Sequence, residues 1–241
     1  MKRRTPTLAA MAMVVAMMAG AAAAQTNTLG KLTGSKHDLN TWGNGLVIPG
    51  NQICLPCHTP HGGNNEVEEG RFLWNHKVST KSFTLYTAKF TGTRFGKTSS
   101  ANPVLDGESK MCLSCHDGVT ALDAFGGSDG TNKVMTGTRA VGADDLSNDH
   151  PIGIKYPGLN DAGTTWDASK GSGYFDPTQP TWTTPTDRNS FTGGAAVKLV
   201  DLSPGVVGIG CGSCHTPHSN KFKYLRMSND GSALCFKCHD K

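Results

Sequence analysis

Cys211-Gly212-Ser213-Cys214-His215-Thr216-Pro217-His218 and Cys54-Leu55-Pro56-Cys57-His58-Thr59-Pro60-His61 are the stretches on which the reading of this chain turns. Each opens with the frame C-x-x-C-H, and the frame recurs in Cys112-Leu113-Ser114-Cys115-His116 and Cys235-Phe236-Lys237-Cys238-His239. All 8 cysteines fall into these frames. Residues at i and i+3 share one face of a helical turn, so both thiols of a frame can reach one planar cofactor. The histidine that follows then stands where it can bind a metal at that cofactor's centre. C-x-x-C-H is the pattern of c-type haem attachment, and imidazole is a proximal ligand of haem iron. The frames predict four haem c groups per chain, tethered by Cys54, Cys57, Cys112, Cys115, Cys211, Cys214, Cys235 and Cys238. His58, His116, His215 and His239 are the expected proximal ligands. Rival readings explain less. Zinc has no need of a histidine after every second cysteine, and a disulfide framework would not confine its cysteines to one pentapeptide. Thiol-redox C-x-x-C motifs usually occur singly, beside a βαβ pattern.

Composition bears on the same point. Apolar residues make up 37% of 241, and 17 of the first 24 residues are apolar, so the remainder holds about one third. Glycine is abundant at 30 and charged residues are few at 17%. Such a chain struggles to offset about 1–2 kcal/mol of backbone entropy per ordered residue. Four macrocycles would supply the missing interior: burial of about 500 Å² of apolar area each is worth roughly 12 kcal/mol. The expected fold is mostly irregular coil with short helices and few short strands, wrapped around four covalently bound haems. Short helical turns should carry the frames, with a strand pair from Ser82–Phe90 and Ala195–Leu202.

The amino terminus reads as an export signal. Lys2, Arg3 and Arg4 precede an apolar stretch, Leu8 to Ala19, and Ala22-Ala23-Ala24 offers a small-x-small cleavage site. Residues 1–24 are expected to be removed, leaving 25–241 as a single tetrahaem domain without a membrane anchor, secreted or periplasmic. Within it the first haem pair is expected over about 31–125, a loop-rich connector over 126–205 and the second pair over 206–241. Without the signal the chain carries 20 basic and 19 acidic side chains, and no Lys/Arg run forms a phosphate-tracking stripe. Nucleic-acid binding therefore has no support, and no phosphate loop, dinucleotide fingerprint or zinc-protease motif occurs.

Nine histidines less four proximal ones leave His37, His61, His76, His150 and His218 as distal candidates. Methionine is scarce, since only Met111, Met135 and Met227 lie beyond the signal. His61 and His218 each follow a proximal histidine by three residues. Two ligands of one iron approach from opposite faces, and three residues span at most about 10 Å, so His58 and His61 should serve different irons, as should His215 and His218. The shared phrase also marks an internal repeat. One copy runs from His37 through Cys54–His61 and Leu73 to Cys112–His116; the other runs from His150 through Cys211–His218 and Leu225 to Cys235–His239. By that symmetry His37 and His150 complete the set and His76 is spare, although His76, beside Trp74, could replace His37.

Cys-His-Thr-Pro-His, Leu73-Trp74-Asn75-His76, Cys115-His116-Asp117-Gly118, Asn148-Asp149-His150-Pro151-Ile152-Gly153 and the terminal Gly231-Ser232-Ala233-Leu234-Cys235 together resemble the doubled-CxxCH multihaem cytochromes. The order is most similar to that of the OmcE-type extracellular tetrahaem cytochromes, which polymerise into conductive filaments. The resemblance spans Lys36 to Lys241 and is weakest between about Val134 and Ser203. It implies bis-histidine haems stacked in a continuous chain and a homopolymer in which one distal histidine can come from a neighbouring subunit, giving the fifth histidine a place or making His37 a ligand in trans.

Iron with histidine on both sides has no open position for a substrate, so no catalytic residues are expected. The expected function is that of an exported electron conduit, not an enzyme, serving redox partner proteins or extracellular acceptors. A monomeric periplasmic shuttle and a multihaem reductase with one open haem are the alternatives.

Overall fold

The computed structural model describes residues 31–42, 45–64, 67, 72–86, 104–143, 145–159, 167, 173–175 and 197–239. The expected signal segment lies outside them, as does much of the connector between 160 and 196. Regular structure is sparse among the described residues, which are mostly coil and turns.

Helix α1, Gly107–His116, is the longest element. Asp106 caps it, its carboxylate accepting from the Ser109 amide at 2.9 Å, with Glu108 in the first turn where the helix dipole favours an acid. Leu113 is its apolar anchor, packing with Leu85 and Leu146 in a small buried cluster that Phe83, Leu105 and Ile152 flank. The second helical element, α2, Cys211–Cys214, is a single turn.

A three-stranded antiparallel sheet precedes α2. Strands β1 (Ile154–Lys155), β2 (Val200–Ser203) and β3 (Val206–Ile209) lie in the order β1-β3-β2. Ile154 pairs with Ile209, and Val200 with Gly208. Pro204-Gly205 closes the β2–β3 hairpin: proline presets the first corner and Gly205, at φ 76°, supplies the left-handed second one. This differs from the expected pairing of Ser82–Phe90 with Ala195–Leu202. Strand β2 pairs with the next segment of chain, because a two-residue turn closes at far less entropic cost than a loop of a hundred residues. Leu85 makes only an isolated bridge to Leu146; residues 87–90 and 195–196 lie outside the described residues.

Ile154, Tyr156, Leu159, Val197, Leu199, Ile209 and Leu234 form the main buried cluster, with Cys214, Leu225, Met227 and Cys238 against its edge. The sheet therefore serves as a backing plate for the third and fourth frames.

Candidate haem sites

In three frames a backbone bond closes the pentapeptide into one helical turn. The histidine amide donates to the carbonyl of the first cysteine in His58→Cys54 at 2.8 Å, His215→Cys211 at 3.0 Å and His239→Cys235 at 3.0 Å. The remaining frame is the last turn and a half of α1. Each turn sets its two thiols on one side and starts the histidine one step further on.

The repeat is visible in hydrogen bonds. Thr59 donates to Leu73 and Asn75 to Cys57; correspondingly, Thr216 donates to Tyr224 and Arg226 to Cys214. His58 bridges Trp74, and His215 bridges Leu225. The counterpart of Leu225 is thus Trp74, one residue beyond the Leu73 that sequence matching selects. Side chains repeat the relation as well: Asn75 Nδ2 donates to Leu55 O and Arg226 Nε to Gly212 O, both at 2.6 Å. Each caps the carbonyl just after a frame's first cysteine. Both copies approach this strand through left-handed backbone, at Phe72 (65°) and Leu73 (49°), and at Phe222 (53°), Lys223 (56°) and Tyr224 (68°). Such residues cost about 1–3 kcal/mol each and persist where their surroundings demand the geometry.

The histidines meet in pairs drawn from distant parts of the chain. Ring centres lie 6.0 Å apart in His58–His218, 6.2 Å in His37–His116 and 6.4 Å in His150–His239. Each pair joins one frame histidine to one non-frame histidine. A metal–imidazole bond is about 2.0–2.1 Å and the ring centre about 1.1 Å beyond the nitrogen, so two imidazoles on opposite sides of one metal sit roughly 6.3 Å apart. Interplanar angles of 18°, 77° and 71° are compatible, since both rings remain free to turn about a shared axis. In each pair one ring has a defined tautomer. Nδ1 of His58, His116 and His150 contacts the carbonyls of Phe72 at 2.7 Å, Arg139 at 2.6 Å and Pro151 at 3.1 Å. A carbonyl only accepts, so Nδ1 carries the proton and Nε2 keeps its lone pair for a metal.

Two histidines stand apart. His76 is completely buried; its Nδ1 donates to the Lys77 carbonyl at 3.0 Å and its Nε2 lies 3.5 Å from Cys115 Sγ. Trp74, not a histidine, is its ring neighbour, at 6.3 Å. His61 is exposed. Among the described residues no histidine ring faces His61, and none lies across from His215 at the spacing of the three pairs.

Electrostatics favour the neutral imidazole, the form a metal requires, at His37, His215 and His218. Burial, then the neighbouring His116 and His218, pushes His37 down to about 4. Burial followed by His116 lowers His215, and burial followed by His58 lowers His218. Burial raises Cys57 to about 11 and Cys238 to about 12. All eight cysteines are free, and among the described residues no group of three or more His, Cys, Asp or Glu side chains could hold a bare metal ion.

The donor set suits a haem iron. Nδ1 of His37 is buried without a hydrogen-bond partner, a state that costs about 1–3 kcal/mol unless something else occupies the site. Tyr224 packs edge-on against that ring at 4.5 Å, and Tyr174 against His239 at 5.0 Å. The sequence placed Tyr174 among aromatics of loops over haem faces, but Tyr224 and the capping roles of Asn75 and Arg226 were missed; a carbonyl-capping side chain at a fixed place in each repeat was the available signal.

No helix among the described residues is long and apolar enough to cross a membrane. Comparison with curated proteins finds no match. Residues 204–241 match a family model described as the doubled CXXCH motif. That similarity covers the third and fourth frames and, with the two further frames upstream, supports a multihaem c-type cytochrome family, with haem c bound covalently, as the setting of this chain.

Proposed function

We propose that this protein is an exported tetrahaem electron conduit whose chains join head to tail through a histidine. The observation that carries this reading is the cross-pairing of rings. His218, from the second copy of the repeat, faces His58 of the first at 6.0 Å, while His215 has no histidine opposite and His61 has no ring partner among the described residues. His61 occupies in the first copy the place that His218 occupies in the second. If copies follow one another at a constant step, His61 of the next chain faces His215 of this one. Such a heterologous contact does not satisfy itself and propagates into a filament or a ring.

In this reading the eight cysteines would hold the cofactors, and the imidazoles of His58 with His218, His116 with His37 and His239 with His150 would bind three of the irons. Haem, when bound, would supply one-electron chemistry at its iron. Trp74, Tyr224 and Tyr174 keep water from the imidazoles, and the carbonyls of Phe72, Arg139 and Pro151 hold ring protons away from the metal side. His76 serves as a buried structural group beside Cys115.

The isolated chain, by the same count, has one iron without an in-chain distal histidine. That supports a second reading, a reductase that binds substrate at the iron of His215. Cyanide binding separates the two. Assembled protein should resist cyanide at all four haems if His61 closes the site in trans, and imaging should show haem-staining fibres. Monomers that bind cyanide, never assemble and reduce a small oxyanion would favour the reductase.

A further inference from the structure

The second and third frames are far apart in sequence but dovetailed in space. Cys211 N donates to Ser109 Oγ at 2.9 Å across 102 positions of sequence, and Ser109 Oγ donates to Asp106 Oδ2 at 2.5 Å. Asp106 and Ser109 are almost wholly inaccessible, at 1% and 0% exposure. Gly210 makes the approach feasible, because a Cβ there would collide with the Asp106 carboxylate. On the flank, Lys198 pairs with Glu108. The Cys112 and Cys211 side chains are themselves in contact.

We propose that Asp106 and Ser109 are positioning residues that lock the third frame against the second, so that the haems tethered by Cys112 and Cys211 are neighbours and conduction crosses the connector without a gap. This rests on the reading that each frame carries haem. A connector of some ninety residues would otherwise let the two haem pairs drift, whereas a buried Ser–Asp pair binding a frame amide fixes their spacing. Asp106 lies six residues before Cys112 and meets a turn of the other repeat, so the link joins copies instead of stabilising one.

Intact mass of the matured wild-type protein comes first: fewer than four haem adducts overturns the haem reading alone, and exchange at the Cys211 amide then decides the clamp, slow exchange supporting it and open-loop exchange overturning it. With four adducts present, circular dichroism in the Soret band reads exciton coupling between close haems, and hydrogen exchange reads the Cys211 amide. Ser109→Ala should keep four adducts, shrink the couplet and speed exchange at Cys211 by roughly fivefold to tenfold, while Ser109→Thr, which keeps the oxygen, restores both. An unchanged couplet in a fully loaded Ser109→Ala protein overturns the clamp. Should that variant fail to mature, the wild-type amide decides: slow exchange at Cys211 supports the clamp, and exchange at the rate of an open loop overturns it.

Discussion

The two copies of the repeat use one local design and differ in what they face. In both, a single-turn frame lies antiparallel to a short strand reached through left-handed backbone, and a side chain caps the carbonyl after the first cysteine. The first copy, around Cys54–His58, packs its histidine against His218 of the second. The second copy is backed by the sheet and by Ile154, Leu199 and Ile209; its His215 has His116 and His37 as electrostatic neighbours, but among the described residues no histidine ring lies across from it at the spacing of the three pairs. On the proposed reading, identical local chemistry yields one closed site and one open edge.

Deleting attachment sites should separate the copies most strongly. Cys211→Ala with Cys214→Ala should remove one haem adduct and much of the fold, since Cys214 borders the main buried cluster. Cys54→Ala with Cys57→Ala should cost one adduct and leave the sheet-backed half folded; intact mass and protease resistance report both. Next in size are the proposed distal ligands. His218→Ala should open one iron to cyanide in monomer and assembly alike, whereas His61→Ala should leave the monomer's spectrum unchanged and abolish assembly. Equal behaviour of the two variants would erase the distinction between closed site and open edge.

Spectroscopy sharpens the comparison without mutation. The near-parallel rings of His58 and His218, 18° apart, should give a rhombic low-spin ferric EPR signal. The steep pairs, at 77° and 71°, should give signals with a large principal g value. His76→Leu should leave these signals in place and lower stability by about 1–3 kcal/mol through buried groups left unpaired; a lost low-spin signal would make His76 a ligand. The smallest difference should come from the caps. Arg226→Ala removes a hydrogen bond from a charged group and should cost about 1.5–3 kcal/mol, against about 0.5–1.5 for Asn75→Ala, by denaturant titration of the loaded protein.

How far all this could be read beforehand depended on how local each feature is. The frames were legible because covalent attachment imposes a spacing within five residues. The repeat was legible in its shared Thr-Pro-His phrase, but its register slipped by one: Leu73 and Leu225 look alike, while hydrogen bonding sets Trp74 opposite His58 as Leu225 stands opposite His215. Segments of unequal length join frame to strand in the two copies, so residue likeness was a poor guide there. Strand β2 was found in part and its partner missed, although Pro204-Gly205 was the turn signal that should have decided it. The Asp106–Ser109 link left no mark in sequence beyond an N-cap residue, since its other half lies in the opposite repeat.

What the amino-acid order determined alone is the chemistry of each frame, the number of frames and the supply of histidines, all set by bonds within a turn or two of chain. Which histidine looks at which was decided only in three dimensions. Facing rings such as His58 and His218 are 160 positions apart, and no local rule carries a ring across that distance. The backbone must first bring the two repeats together, through the sheet, the glycine at position 210 and the buried Ser109–Asp106 contact, before an imidazole has anything to oppose.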